Sequence, residues 1–289
     1  MPEFAIAGLQ LELSNQDNLY FIQNEIDKVM LRFPWVNMIV LGELATYGPN
    51  PANAQNMPGE AERLYCKIAE QHGIWLIPGT LFERRGDQIS NTAPVINPDG
   101  EVVTRYRKMF PFEPYETGIT PGDEFVVFDV PEVGRFGVSI CYDQWFPETT
   151  RTLAWMGAEV IICPTMTNTI DRDVELAMAQ ANAASNQCYF LNINVAGNLG
   201  YGKSIVVGPD GAVIHVSGSG KEVIPIEIDV EKVRRVRERG LHGLGQVLKS
   251  FRDSKVTFPP YIEGHANSES LQALGELKLP ESSWTHKES

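Results

Sequence analysis

The chain has 289 residues, 43% of them hydrophobic, and a formal charge of -13; that length and apolar content suffice for one large core, and the acidity argues against nucleic acid as a partner. Four cysteines, at 66, 141, 163 and 188, make neither a disulfide framework nor a zinc spacing, and five histidines, at 72, 215, 242, 265 and 286, show no metal-ligand spacing. No apolar run approaches the ~18 residues of a membrane span, and Met1-Pro2-Glu3-Phe4 lacks the basic and apolar regions of a signal peptide, so the expectation is a cytosolic protein with no membrane partner.

In chain order, Phe4 to Leu13 alternates in part as a strand, Leu19 to Phe33 has helical periodicity, and Val36 to Leu41 is an apolar strand ending in Gly42-Glu43. Glu60 to His72 is helical and carries Cys66; Ile74 to Pro78 is a strand. Asn97-Pro98-Asp99-Gly100 then reads as a hairpin turn. The strand after it ends in basic residues at Arg107-Lys108 and runs into the loop Phe112-Glu113-Pro114-Tyr115-Glu116.

The next apolar run, Gly137-Val138-Ser139-Ile140, stops at Cys141, and a helix is predicted from Pro147 to Gly157, with proline at its first position and Glu148 in its first turn. Val160 to Cys163 is a strand, Arg172 to Asn186 an Ala-rich helix, and Tyr189 to Val195 a strand. A second hairpin turn, Gly208-Pro209-Asp210-Gly211, separates Ser204-Val207 from Ala212-His215, and two halves of this kind suggest two sheets covered by helices. The basic stretch 231–239 is interspersed with Val and Glu, the pattern of a solvated helix face or half of a subunit contact. Leu241 to Asp253 carries apolar residues outside any core element, either a partner surface or packing on its own subunit. From His265 the composition turns polar, dividing the chain into a domain over 1–264 and a tail over 265–289, a mobile end or a strap across a neighbour.

Three strand ends carry chemistry. Cys141 closes an apolar run ahead of a helix start, where unpaired N–H groups favour a thiolate; a cysteine there also fits a small core residue. Lys108 fits an ordinary solvated charge, and Glu43 is a carboxylate at a strand rim. Taken together, a thiol, an ammonium and a carboxylate supply a nucleophile, a partner for a developing oxyanion and a general base, the set that acyl transfer requires. Cys66, Cys163 and Cys188 lack this context and read as structural.

Gly-Glu43 after an apolar strand, Arg-Lys108-Met-Phe-Pro with Glu116 eight residues on, and Cys141-Tyr-Asp-Gln-Trp-Phe-Pro-Glu thirty-three residues after the lysine resemble the nitrilase superfamily of carbon-nitrogen hydrolases, on its amidase side. The likeness runs roughly from residue 3 to residue 255. It implies a four-layer αββα sandwich, two mixed sheets face to face with helices outside, and a homodimer at least. It implies that Cys141 attacks an amide carbonyl, Glu43 moves protons, and Lys108 with the N–H of Tyr142 holds the oxyanion. Glu116 matches the second glutamate that many members place beside the lysine, with Glu113 a rival, and no metal or organic cofactor is implied.

Tyr47, Tyr115, Trp145 and the stretch Thr165-Met166-Thr167-Asn168 follow these strand ends and are candidates for the substrate pocket, or equally for wall packing. True nitrilases usually have Trp-Glu just after the cysteine, and Tyr142-Asp143 here favours an amide over a nitrile. The leading expectation is hydrolysis of a small carboxamide to acid and ammonia. The alternatives are an N-carbamoyl amine or amino acid hydrolase, which also releases carbon dioxide, and a non-catalytic scaffold member.

Overall fold

The protein is described here from a computed structural model over residues 4–262 and 268–279. In the first half, strands β1 (Phe4–Gln10), β2 (Met38–Leu41), β3 (Trp75–Ile77), β4 (Leu81–Arg85), β5 (Gln88–Ile96) and β6 (Val102–Arg107) accompany helices α1 (Leu19–Arg32) and α2 (Glu60–His72). The second half holds β7 (Val126–Val130), β8 (Gly134–Val138), α3 (Pro147–Trp155), β9 (Val160–Thr165), α4 (Arg172–Asn186), β10 (Tyr189–Asn194), β11 (Ile205–Val207), β12 (Val213–Val216), β13 (Glu222–Ile228), α5 (Val230–Arg239) and α6 (Val247–Asp253). One sheet has the order β13-β1-β2-β3-β5-β4, with β6 also on β5; the other runs β12-β11-β10-β9-β8-β7. Both are mixed, with β1-β2-β3 and β8-β9-β10 parallel.

The layers follow from the two-residue period of the strands. Along β1, Phe4 and Ile6 enter the core between the sheets, while Ala7 and Leu9 face Leu19, Ile22 and Ile26 of α1. On the other sheet Val160 and Ile162 point inward, while Ile161 and Cys163 pack under Leu153 of α3 and Ala179 and Ala183 of α4. Three apolar layers therefore alternate with two sheets, which is the four-layer sandwich. Gly8 faces inward, where an added Cβ would lie 2.5 Å from Ile193 Cδ1, so the sheets meet closely there.

Both predicted hairpins are present, one in each sheet: β5-β6 around Asn97–Gly100 and β11-β12 around Gly208–Gly211. Strands β4, β7 and β13 were not among the sequence-predicted elements. The last pairs along all of β1, Phe4 opposite Ile228 through Gln10 opposite Glu222. The basic residues of α5 are spent within the chain: Arg235 pairs with Asp229 at 2.6 Å, Lys232 with Asp210 at 2.9 Å and Arg234 with Glu159 at 2.8 Å. Of the tail expected over 265–289, positions 265–267 and 280–289 lie outside the described residues; between them Leu271, Leu274, Leu277 and Leu279 are exposed apolar side chains in a segment read as polar. Among the described residues no helix is long and apolar enough to cross a membrane.

Candidate active site

Because β2, β8 and β9 run in the same sense within their sheets, the residues just beyond their C-terminal ends meet at one rim of the sandwich. Glu43 follows β2 through Gly42, where a Cβ would lie 2.7 Å from Val195 Cγ2, and the Glu43 N–H donates to the Thr165 carbonyl of the opposite sheet at 3.1 Å. Gly79, in the left-handed region at φ +74°, lets its backbone pass the Gly42 carbonyl where a side chain would collide. The two sheets are thus tied together at the position of the carboxylate.

Cys141 lies three residues past β8, and its own φ of +45° turns the chain sharply. A left-handed conformation at a non-glycine residue costs on the order of 1–3 kcal/mol and persists only where its surroundings impose it. The fully buried Asp143 imposes it: its carboxylate accepts the Ile140 N–H at 2.8 Å, the Phe110 N–H at 2.9 Å and the Tyr106 hydroxyl at 2.7 Å. One side chain therefore fixes both the cysteine turn and the segment bearing Lys108. Burial pushes Asp143 up to about 6 against these hydrogen bonds. The helix predicted after the cysteine starts at Pro147 as expected, but Cys141 itself opens a separate 3-10 turn, Cys141–Trp145. Tyr142 is the second residue of that turn, a position whose N–H reaches no carbonyl within it.

Lys108, 1% exposed, donates to Glu43 Oε1 at 2.8 Å and to Glu116 Oε2 at 2.7 Å. Of the two rival glutamates, the lysine is bonded to Glu116. Glu43 is saturated with donors: besides Lys108, Asn91 Nδ2 reaches Oε1 at 2.8 Å and the Met166 N–H reaches Oε2 at 3.0 Å. Asn91, on β5, carried no sequence signal.

Burial by itself would lower the Lys108 ammonium, but the charges of Glu43, Cys141 and Glu116 hold it well above its ordinary value, so it stays charged. Burial raises Glu43 above the usual carboxylate value despite Lys108. Burial, reinforced by the Glu43 charge, pushes the Cys141 thiol well above its usual value. Of the two routes open to a cysteine here, a thiolate enriched by its surroundings or removal of the proton by Glu43 during attack, this desolvation works against the first and favours the second.

A second polar chain backs the sulfur. Thr167 Oγ1 lies 3.6 Å from Cys141 Sγ and donates to Glu175 Oε1 at 3.1 Å. Glu175 Oε2 accepts from Arg172, whose buried guanidinium also reaches Asn192 at 2.8 Å and the Lys203 carbonyl at 2.9 Å. Both charged residues sit at the start of α4, and helical periodicity alone gave no reason to single them out.

Cys141 lies between two chambers that share Phe112, Met166 and Asn168. The smaller, about 190 Å³, is walled by Glu43, Lys108 and Glu116 with Leu44, Pro49 and Leu199. The larger, about 580 Å³, is walled by Tyr115, Tyr142 and Trp145 on one side and by Thr167 through Asp171 with Glu175 on the other. Tyr115 and Trp145 thus line the cavity beside the cysteine. Tyr47 and Thr165 do not. Leu44 turns the chain at φ +49° and carries Tyr47 into a separate cleft with Gly48, Asn53 and Thr80. Thr165 still belongs to β9, is fully buried, and gives its hydroxyl to the Cys163 carbonyl at 3.2 Å, leaving the wall to the residues after it.

The carbon-nitrogen hydrolase family model matches residues 5–238, and the chain belongs to that family. It is 29% identical over 262 residues to Omega-amidase NIT3 of Saccharomyces cerevisiae, covering 81% of this chain and 89% of the relative. It is 32% identical over 204 residues to Omega-amidase NIT2-B of Xenopus laevis, covering 65% and 74%. The crystal structure of Saccharomyces cerevisiae Nit3, a member of branch 10 of the nitrilase superfamily, superimposes with a TM-score of 0.76 at 30% identity, over 82% of this chain and 93% of that one. The protein is accordingly an enzyme on the amidase side of the nitrilase superfamily.

Proposed function

We propose that the protein hydrolyses the C–N bond of a small linear carboxamide, giving the acid and ammonia through a thioester on Cys141. The observation that carries this reading is the convergence of the Cys141 thiol, the Glu43 carboxylate and the Lys108 ammonium on the wall of one chamber. Glu43 takes the thiol proton as sulfur bonds to the amide carbon, and the carbonyl oxygen becomes an oxyanion held by Lys108 and the Tyr142 N–H. Protonated Glu43 returns its proton to the nitrogen, the C–N bond breaks and ammonia leaves. Water then enters, Glu43 accepts its proton, and the hydroxide attacks the thioester. As the C–S bond breaks, the proton returns to sulfur and the acid departs. Glu116 fixes Lys108 through a second hydrogen bond, at 2.7 Å. No metal or organic cofactor takes part in these steps.

The test is the mass of the intact protein after brief exposure to a panel of amides and N-carbamoyl compounds. A transient gain located on Cys141 identifies nucleophile and acyl group together, and separates carboxamides from carbamoyl substrates. Cys141→Ala keeps the fold and loses hydrolysis; more than a few per cent of residual activity removes the cysteine from the mechanism. The working assembly is a homo-oligomer, a reading supported by apolar surface such as Trp155 and Leu244, 61% and 81% exposed, and its compartment is the cytoplasm.

A further inference from the structure

The geometry points to a substrate whose end remote from the amide carries a positive charge, held in the larger chamber between aromatic rings and the Asp171 carboxylate. This deepens the amidase reading and rests on it. The basic groups around the site are already neutralised. Lys108 lies between two carboxylates, and the Arg172 guanidinium is buried against Glu175, Asn192 and the Lys203 carbonyl. Lys203 itself pairs with Asp173 at 2.6 Å. Among the described residues lining the larger chamber there is no lysine, arginine or histidine, and of its two carboxylates Glu175 is neutralised by Arg172, which leaves the charge of Asp171. Glu175 has Arg172 for a partner; the Asp171 carboxylate has no cationic partner among the described residues and accepts from the Thr169 hydroxyl.

The opposite wall suits the same ligand. Phe112 lies 4.9 Å from both Tyr115 and Tyr142, and Tyr142 lies 6.0 Å from Trp145, so four rings form a connected surface. Ring faces attract ammonium groups and give nothing to a carboxylate. A substrate carboxylate entering this chamber meets the like charge of Asp171 with no unpaired cation to receive it, and an ammonium meets both kinds of attraction. The overall charge of -13 acts in the same direction on approach.

The test uses three amides of matched length: γ-aminobutyramide, butyramide and succinamate, cationic, neutral and anionic at the far end. The expected order of kcat/KM is cationic, then neutral, then anionic, with the first exceeding the second at least about tenfold. Asp171→Asn lowers the ratio of γ-aminobutyramide to butyramide several-fold, and added salt narrows it further. A ratio at or below one, or succinamate cleaved faster than butyramide, overturns the inference while leaving the amidase reading intact. Failure to turn over any of the three, with no mass gained at Cys141, overturns both.

Discussion

Lys108 donates to Glu43 and Glu116 from a buried position, so its removal has two separable consequences. Loss of an oxyanion donor costs about 10²–10³ in kcat. Loss of the cation that, among the described residues, alone is bonded to these two carboxylates destabilises the fold by about 3–5 kcal/mol, because breaking a buried pair leaves charge without compensation. Lys108→Met, which keeps most of the volume, is expected to show both effects, read by steady-state kinetics and by urea unfolding. Glu43→Gln keeps the shape and is expected to lose activity with a smaller change in stability. The pH profile has a definite sign. Glu43 must be ionised to accept the thiol proton, so kcat/KM falls as pH drops through its carboxyl value, and burial places that acid limb above the ordinary ~4.3 of glutamate. Lys108 is held well above its usual value, so its charge imposes no alkaline loss below about 10.5. An acid limb at or below 4.3 in wild type contradicts the assignment of Glu43 as base.

The cysteine turn depends on one carboxylate reading three donors. Asp143→Asn leaves a single acceptor oxygen where Ile140, Phe110 and Tyr106 each present a hydrogen, and an unmatched buried donor costs about 1–3 kcal/mol. Because the same side chain holds both the Cys141 backbone and the approach to Lys108, kcat is expected to fall along with the unfolding midpoint; unchanged turnover shows that the elbow is fixed by other contacts. The strand ends bearing Glu43, Lys108 and Cys141 were legible in the sequence, since an apolar run and its polar terminus are local properties. Asn91 and the Asp143 hydrogen bonds to Tyr106 and Phe110 were not, because they join separate strands and leave no periodic trace. Thr165 was placed one turn of the pleat too early: β9 continues through it, so its side chain is committed to the interior and the wall begins at Met166. Tyr47, expected at the pocket, lines a neighbouring cleft after the turn at Leu44, whose positive φ has no residue-type signature.

At the scale of the molecule, alternating strands and helices gave an α/β core, and two Pro-Asp-Gly hairpins suggested two sheets. The stacking into four layers came from the likeness to a family rather than from periodicity, because inward- and outward-facing apolar residues of a doubly covered sheet look alike in sequence. The helical surface carries the remaining prediction. Trp155 on α3 meets Phe251 on α6 edge to face at 5.7 Å, and Phe251 stacks on Phe258 at 5.7 Å, which in turn lies 5.7 Å from Tyr261. Trp155 and Tyr261 remain 61% and 56% exposed, so among the described residues this strip is only partly covered. Large exposed apolar patches are where folded chains make protein contacts, which makes this strip the place to test for self-association. Light scattering on the full chain is expected to give at least a dimer, and Trp155→Glu with Tyr261→Glu is expected to shift it toward monomer while circular dichroism stays unchanged. A wild-type monomer at micromolar concentration would leave the strip to serve some other contact and refute self-association.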